Sequence, residues 1–195
     1  IRDVIESRGL GDVYKRQHEI DAMGNNIFRV NKKIEKAPTI LVDAHMDEVG
    51  FLVSNIESNG MIRVIALGGI DPKLFYGQRL SIWGKKPIEA TVAAIPPHIS
   101  NKSDAVTQVE DCIIDTGLKY KDVIKFINIG DQVTFSTKCE IGYDRVLSKA
   151  LDDRVGLFVL IEAVRVLSKK KLNCNFIASA SVQEEMGLRG ARTVS

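Results

Sequence analysis

The sequence predicts an α/β fold interrupted by a separate β-rich module, and three observations carry that expectation. Apolar runs at 39–44 and 174–182 have the length and composition of strands buried in a sheet, the second reading as a central parallel strand covered on both faces. Between them, 152–170 is apolar at Val155, Leu157, Phe158, Leu160, Ile161, Val164 and Leu167, a wide helical stripe. Acids stand at its start and lysines at its end, as the helix dipole favours. The third observation is a change of character from 68 to about 148, where short β-type segments alternate with Gly, Pro and Asn/Asp turns.

In chain order, the opening IRDVIESRGLGDVYKRQ lacks an initiator Met, and its second half resembles translated sequencing-adapter read-through; the competing reading is a short helix at RDVIESR. Residues 1–17 are therefore set aside as a non-native leader. HEIDAMGNNIFRVN places a Gly-Asn turn between short apolar stretches, the pattern of a hairpin. Strands are predicted at 39–44, 49–56 and 61–67, the last two joined through the hairpin turn ESNG. These belong with a domain spanning 18–68 and 148–195, and 69–147 forms the inserted module. Inside that module GQRLSIWG, IEATVAAI and DQVTFSTK read as strands and YKDVIKFI as a helix.

Composition bounds the function. The 195 residues are 45% hydrophobic and 27% charged, enough for a real core. The net charge of +2 is spread along the chain, with only the short run at 169–171 of like sign, so nothing argues for nucleic acid or an anionic membrane. No apolar stretch approaches the roughly 20 residues a membrane helix needs. Cys112, Cys139 and Cys174 are odd in number and far apart, which suits neither a disulfide scaffold nor a zinc knuckle and fits a reducing cytoplasm.

Three clusters could carry chemistry: DAHMDEVG, KALDDRVG and VQEEMGLRG. The first and third follow apolar strands and the second opens the helix. Ligand sites in open α/β sheets lie at the carboxyl ends of strands, so all three can converge on one crevice. A histidine meeting several carboxylates is metal-site chemistry. In an extended segment His45 and Asp47 point the same way, which would let the acid hold the second ring nitrogen of a ligating histidine; the plainer reading is a structural His–Asp pair. Asp152 and Asp153 could be ordinary helix caps, or one could bridge two ions about 3.5–4 Å apart. Adjacent Glu184 and Glu185 cannot face one ligand alike, so one could bind metal while the other handles protons; alternatively they are a solvated strand end.

The combination closely resembles the tetrahedral aminopeptidases, the glutamyl-aminopeptidase family of dinuclear metallopeptidases. The matching motifs are DAHMDEVGF (43–51), ALGGID (66–71), IPPH (95–98), INIGDQVTF (127–135), ALDDRVG (150–156) and SVQEEMGLRGA (181–191). The resemblance implies a mixed central sheet with flanking helices and a PDZ-like insert that makes dimer contacts within a twelve-subunit assembly. His45 would bind one metal, Asp152 bridge both and Glu185 bind the other. Asp47 would orient His45, and Glu184 would be the general base, taking a proton from the attacking water and returning it to the leaving amine. It further implies a cis peptide between Asp152 and Asp153, and leaves His98 structural.

The cofactors so implied are two divalent ions, zinc or cobalt with manganese also acceptable to such ligands. The substrates would be peptides with a free N-terminus. The family needs one more aspartate and one more histidine after the Glu-Glu pair, neither of which occurs before Ser195. The chain as given is thus expected to be a fragment that binds metal poorly and is inactive alone. A related co-catalytic deacylase or dipeptidase shares much of this logic, and a non-catalytic peptide-binding module is the alternative outside enzymes.

Overall fold

A computed structural model describes residues 18–93 and 108–195. The predicted leader and the IPPH motif with His98 lie outside the described residues. In chain order the elements are β1 (His18–Ile20), β2 (Asn26–Arg29), β3 (Thr39–His45), β4 (Gly50–Ile56), β5 (Ile62–Leu67), β6 (Arg79–Trp83), β7 (Pro87–Ala93) and β8 (Ile113–Asp115). A short helix α1 (Tyr120–Phe126) precedes β9 (Gln132–Phe135), β10 (Glu140–Ile141) and β11 (Val146–Leu147), and the chain continues with α2 (Leu151–Leu167), β12 (Asn175–Ser181) and α3 (Arg189–Val194). Two compact units result, Ile1–Glu48 with Ala150–Ser195, and Val49–Lys149.

The first unit is built on a mixed four-stranded sheet in the order β1-β2-β12-β3. β12 runs parallel to β3, with Ser181 level with His45, and antiparallel to β2. The predicted hairpin closes β1 onto β2. The inward face of α2, Leu157, Leu160 and Val164, packs on Ala44, Ala178 and Ala180. Small alanines let the helix sit close to the sheet, and burying each of the helix's large side chains contributes about 1.5–3 kcal/mol. The helical stripe is wider than the face it covers: Val155 and Phe158 are exposed. β3 is likewise half open. It forms an edge of the described sheet, and Ile40 and Val42 face solvent, so the run read as fully buried is buried only at Ala44 and His45.

The second unit is a closed six-stranded barrel in the order β4-β5-β8-β7-β6-β9. Strict alternation along β7 sends Ile88, Ala90 and Val92 inward. Phe51 and Phe75 meet at a tilt in the core and Phe135 packs edge-on against both, with ring centroids 4.6 to 6.3 Å apart.

The β-rich insert expected from the sequence is a closed six-stranded barrel, shut where β4 pairs with β9. The boundary moves from 68/69 to 48/49, since β4 and β5 bury Phe51, Val53, Ile62 and Val64 in the barrel core and do not join the mixed sheet. Pairing of Phe51 with Val133 is a long-range choice that local periodicity cannot report.

Candidate metal centre

Every site residue predicted from the sequence lies in the first unit, His45, Asp47, Glu184 and Glu185 at or just past the carboxyl ends of its two parallel strands and Asp152 at the start of α2. His45 closes β3, and the turn carrying Glu184 and Glu185 begins just past the end of β12 at Ser181. Met46 N–H donates to the Ser181 carbonyl at 2.8 Å and carries the pairing one step beyond the strands. Ser181 is itself fixed by donating its hydroxyl to Asp43 at 2.7 Å.

The His45 side chain is only 8% exposed. Its Nδ1 lies 3.1 Å from the carbonyl oxygen of Asp47, which sets that nitrogen as the donor. Nε2 then faces Asp152 Oδ1 at 3.2 Å and Glu184 Oε2 at 3.7 Å. A ring nitrogen aimed at two carboxylates needs a positive charge between them, supplied either by its own proton or by a cation. Burial pulls the His45 pKa down, but Asp152, Asp47 and Glu184 more than offset that, and the net shift is upward.

Asp47 does more than its predicted role and does it differently. Its carboxylate stands 3.6 Å from His45 Nδ1, too far for a hydrogen bond, and the backbone carbonyl holds the ring instead. The carboxylate accepts the backbone N–H groups of Glu184 at 3.1 Å and Glu185 at 3.2 Å, one on each oxygen. It thus fixes the turn that presents both glutamates.

The two aspartates at the helix start divide their work. The peptide between them is cis, as the resemblance implies. Asp153 accepts Gly156 N–H at 3.0 Å, a capping bond of the ordinary kind. Asp152, its side chain 89% exposed, is left to face His45. Ala150, just before the pair, takes a left-handed φ of 57°. Gln183 at 56° and Leu188 at 59° do the same on either side of the Glu-Glu turn. Such φ values in non-glycine residues cost of order 1–3 kcal/mol each and concentrate at functional sites.

Ligand atoms of His45, Glu184 and Glu185 all lie within 4.8 Å of one another. Burial raises the Glu185 pKa, and Glu184, Asp152 and Asp47 add to the rise against the opposing pull of His45. Crowded carboxylates beside a buried imidazole make a donor set able to hold a divalent cation. Sequence reasoning missed Asn25, which it treated as part of a turn. The structure buries it completely beneath the Glu-Glu loop. The signal that could have found it is Asp21 four residues earlier, an acceptor able to lock such a side chain.

On a mixed α/β sheet, His45, Glu184 and Glu185 thus form a group that could hold a metal ion. Residues 24–195 match the family described as M42 glutamyl aminopeptidase, and the chain belongs to that family of metallo-aminopeptidases. It is similar to the glutamyl aminopeptidase of Lactococcus lactis, 35% identical over 201 residues, covering 98% of this chain and 56% of the relative. Among solved structures it resembles the TET aminopeptidase of a marine-sediment Thaumarchaeota archaeon, with TM-score 0.86 and 30% identity over 98% of this chain and 55% of that one. The Pyrococcus horikoshii TET1 peptidase gives TM-score 0.82 and 30% identity over 99% and 58%, and is described as assembling into a tetrahedron or a large octahedral shell. The chain spans about half the length of the curated relatives it matches. No helix among the described residues is long and apolar enough to cross a membrane.

Proposed function

We propose that the protein to which this chain corresponds is an aminopeptidase that releases N-terminal amino acids from peptides at a dinuclear metal centre. The observation that carries this is the meeting of His45 with the carboxylates of Asp152, Glu184 and Glu185 near the ends of two parallel strands. His45 and Glu185 would each hold one ion, and Asp152, exposed and facing His45, would reach both. When bound, such ions supply Lewis-acid polarisation of the scissile carbonyl and acidify water.

The remaining work falls to the chain. Glu184 accepts a proton from the attacking water and returns it to the departing amine. Asp47 holds both glutamates by their backbone, so that the base and the ligand keep a fixed separation. A peptide with a free amino terminus is the substrate class implied by the family. The barrel would make the dimer contacts of a higher assembly, a reading supported by the family resemblance and by the shells described for the P. horikoshii peptidase.

The test uses the chain extended over the length its relatives have. Two divalent ions per chain, loss of turnover on chelation, and a Glu184→Gln variant that keeps both ions but turns over at least about 100-fold more slowly are expected. Equal hydrolysis of substrates with free and blocked amino termini would turn the reading toward a deacylase. A metal-free protein would end it.

A further inference from the structure

We propose that Asn25 is a positioning residue for the Glu184–Glu185 loop, an inference that rests on the metal-site reading above. Asn25 is 0% exposed. Its Oδ1 accepts Val182 N–H at 2.9 Å, where the chain leaves β12, and its Nδ2 donates to the Gly190 carbonyl at 3.0 Å, where the chain enters α3. One carboxamide therefore grips both ends of the loop that carries the glutamates. The ends also grip each other, through Gly190 N–H on the Val182 carbonyl at 3.0 Å.

The carboxamide cannot swing. Nδ2 also meets Asp21 Oδ2 at 2.7 Å and Thr193 Oγ1 at 2.9 Å. Asp21 Oδ1 in turn accepts the N–H groups of Met23, Gly24 and Asn25, each at 2.9 Å, which closes the β1–β2 turn around it. A Cβ on Gly190 would run into Val182 O, Val182 N and Asn25 Oδ1, so the approach is as close as glycine permits.

The loop is thus held at its base by Asn25 and at its crest by Asp47, with the left-handed residues Gln183 and Leu188 between. A polar side chain with no access to water and every partner on this loop or its anchor contributes little elsewhere. Its consequence is the placement of two carboxylates opposite His45, where displacements near 1 Å decide whether a shared cation is held.

The experiment takes the chain extended over the length its relatives have and compares wild type with Asn25→Ala, with the near-isosteric Thr193→Val, and with Leu160→Ala, which weakens the same unit through its core. Co2+ titrations followed by paramagnetic NMR shifts at His45 read even weak binding, and amide hydrogen exchange at Glu184 and Glu185 reads loop order without metal. Asn25→Ala is expected to weaken Co2+ binding about 10-fold or more and to speed exchange at both amides. Thr193→Val should shift both in the same direction by about threefold, the size of one lost net hydrogen bond. Leu160→Ala should lower the melting temperature and leave Co2+ affinity within about twofold of wild type. If wild type responds to Co2+ and both loop variants respond as it does, the positioning role is overturned and the metal site stands. If wild type shows no Co2+ shift at His45, the metal reading falls and takes the positioning role with it.

Discussion

The carboxylate of Asp47 accepts the backbone N–H of Glu185 at 3.2 Å while its second oxygen takes the neighbouring Glu184 N–H. This separates two functions that a His-x-Asp motif suggests belong to one group, because the imidazole is held by the Asp47 carbonyl and not by its side chain. Replacing Asp47 by Ala leaves two partly buried amide donors without an acceptor. Urea unfolding should show a loss of about 1–3 kcal/mol, and metal affinity should fall about 10–100-fold. The carbonyl survives the substitution, so 15N NMR should still find the His45 proton on Nδ1. Loss of that tautomer in Asp47→Ala would restore the side chain to the histidine-orienting role.

Gly156 presents a reversal of an ordinary expectation. In a helix, Gly→Ala usually stabilises by roughly 0.5–1 kcal/mol. Here a Cβ would collide with the Asp153 carboxylate, which is held against Gly156 N–H as the helix cap. The short side chain can move only by giving up that bond, which costs about 1 kcal/mol. Gly156→Ala should therefore lower the melting temperature, whereas the same substitution made in an Asp153→Ala background should lower it no further. A stabilised Gly156→Ala would show that the cap is dispensable.

Much of this site is legible in the sequence, and the reasons for what is not are physical. His45, Asp152, Glu184 and Glu185 could be picked out because strand ends and helix starts are visible as pattern, and their chemistry is carried by residue type. The barrel boundary was not legible, because the pairing of Phe51 with Val133 and of Ile62 with Ile114 is decided by closure of the ring. The choice between the Asp47 carbonyl and carboxylate depends on how the backbone turns after β3. Asn25 was hidden for a related reason: its partners Val182 and Gly190 lie far along the chain.

Glu185 carries a stability cost that its metal-binding role would explain. Its folded pKa is raised above 4.5, so between that value and the folded pKa the unfolded chain binds fewer protons than the folded one. Stability of the metal-free protein therefore falls as pH rises through this window. Glu185→Gln removes the ionising group, and should melt at a higher temperature than wild type at pH 7 while the two converge near pH 4. Added Zn2+ should reverse the order at pH 7 by stabilising wild type alone. A variant no more stable than wild type at neutral pH would mean that the crowded carboxylates cost nothing.

Glu89 in the barrel gives the opposite pH dependence. Ser136 and Ser81 donate hydroxyls to its two oxygens at 2.6 and 2.7 Å, across the β6–β7 pair that sets Ser81 against Glu89. These bonds hold its pKa below the ordinary 4.5, against a smaller upward push from burial and with help from Arg79 and Lys138. With the folded pKa depressed, the contribution is fully present above pH 4.5 and is lost as pH falls through the folded value. Urea midpoints measured from pH 6 to pH 3 should drop more steeply for wild type than for Glu89→Gln. Ser136→Ala, which removes the shorter of the two bonds, should bring the folded pKa back toward 4.5 and so make the acid loss smaller than in wild type. Parallel profiles for wild type and Glu89→Gln would place the acid sensitivity of the barrel elsewhere.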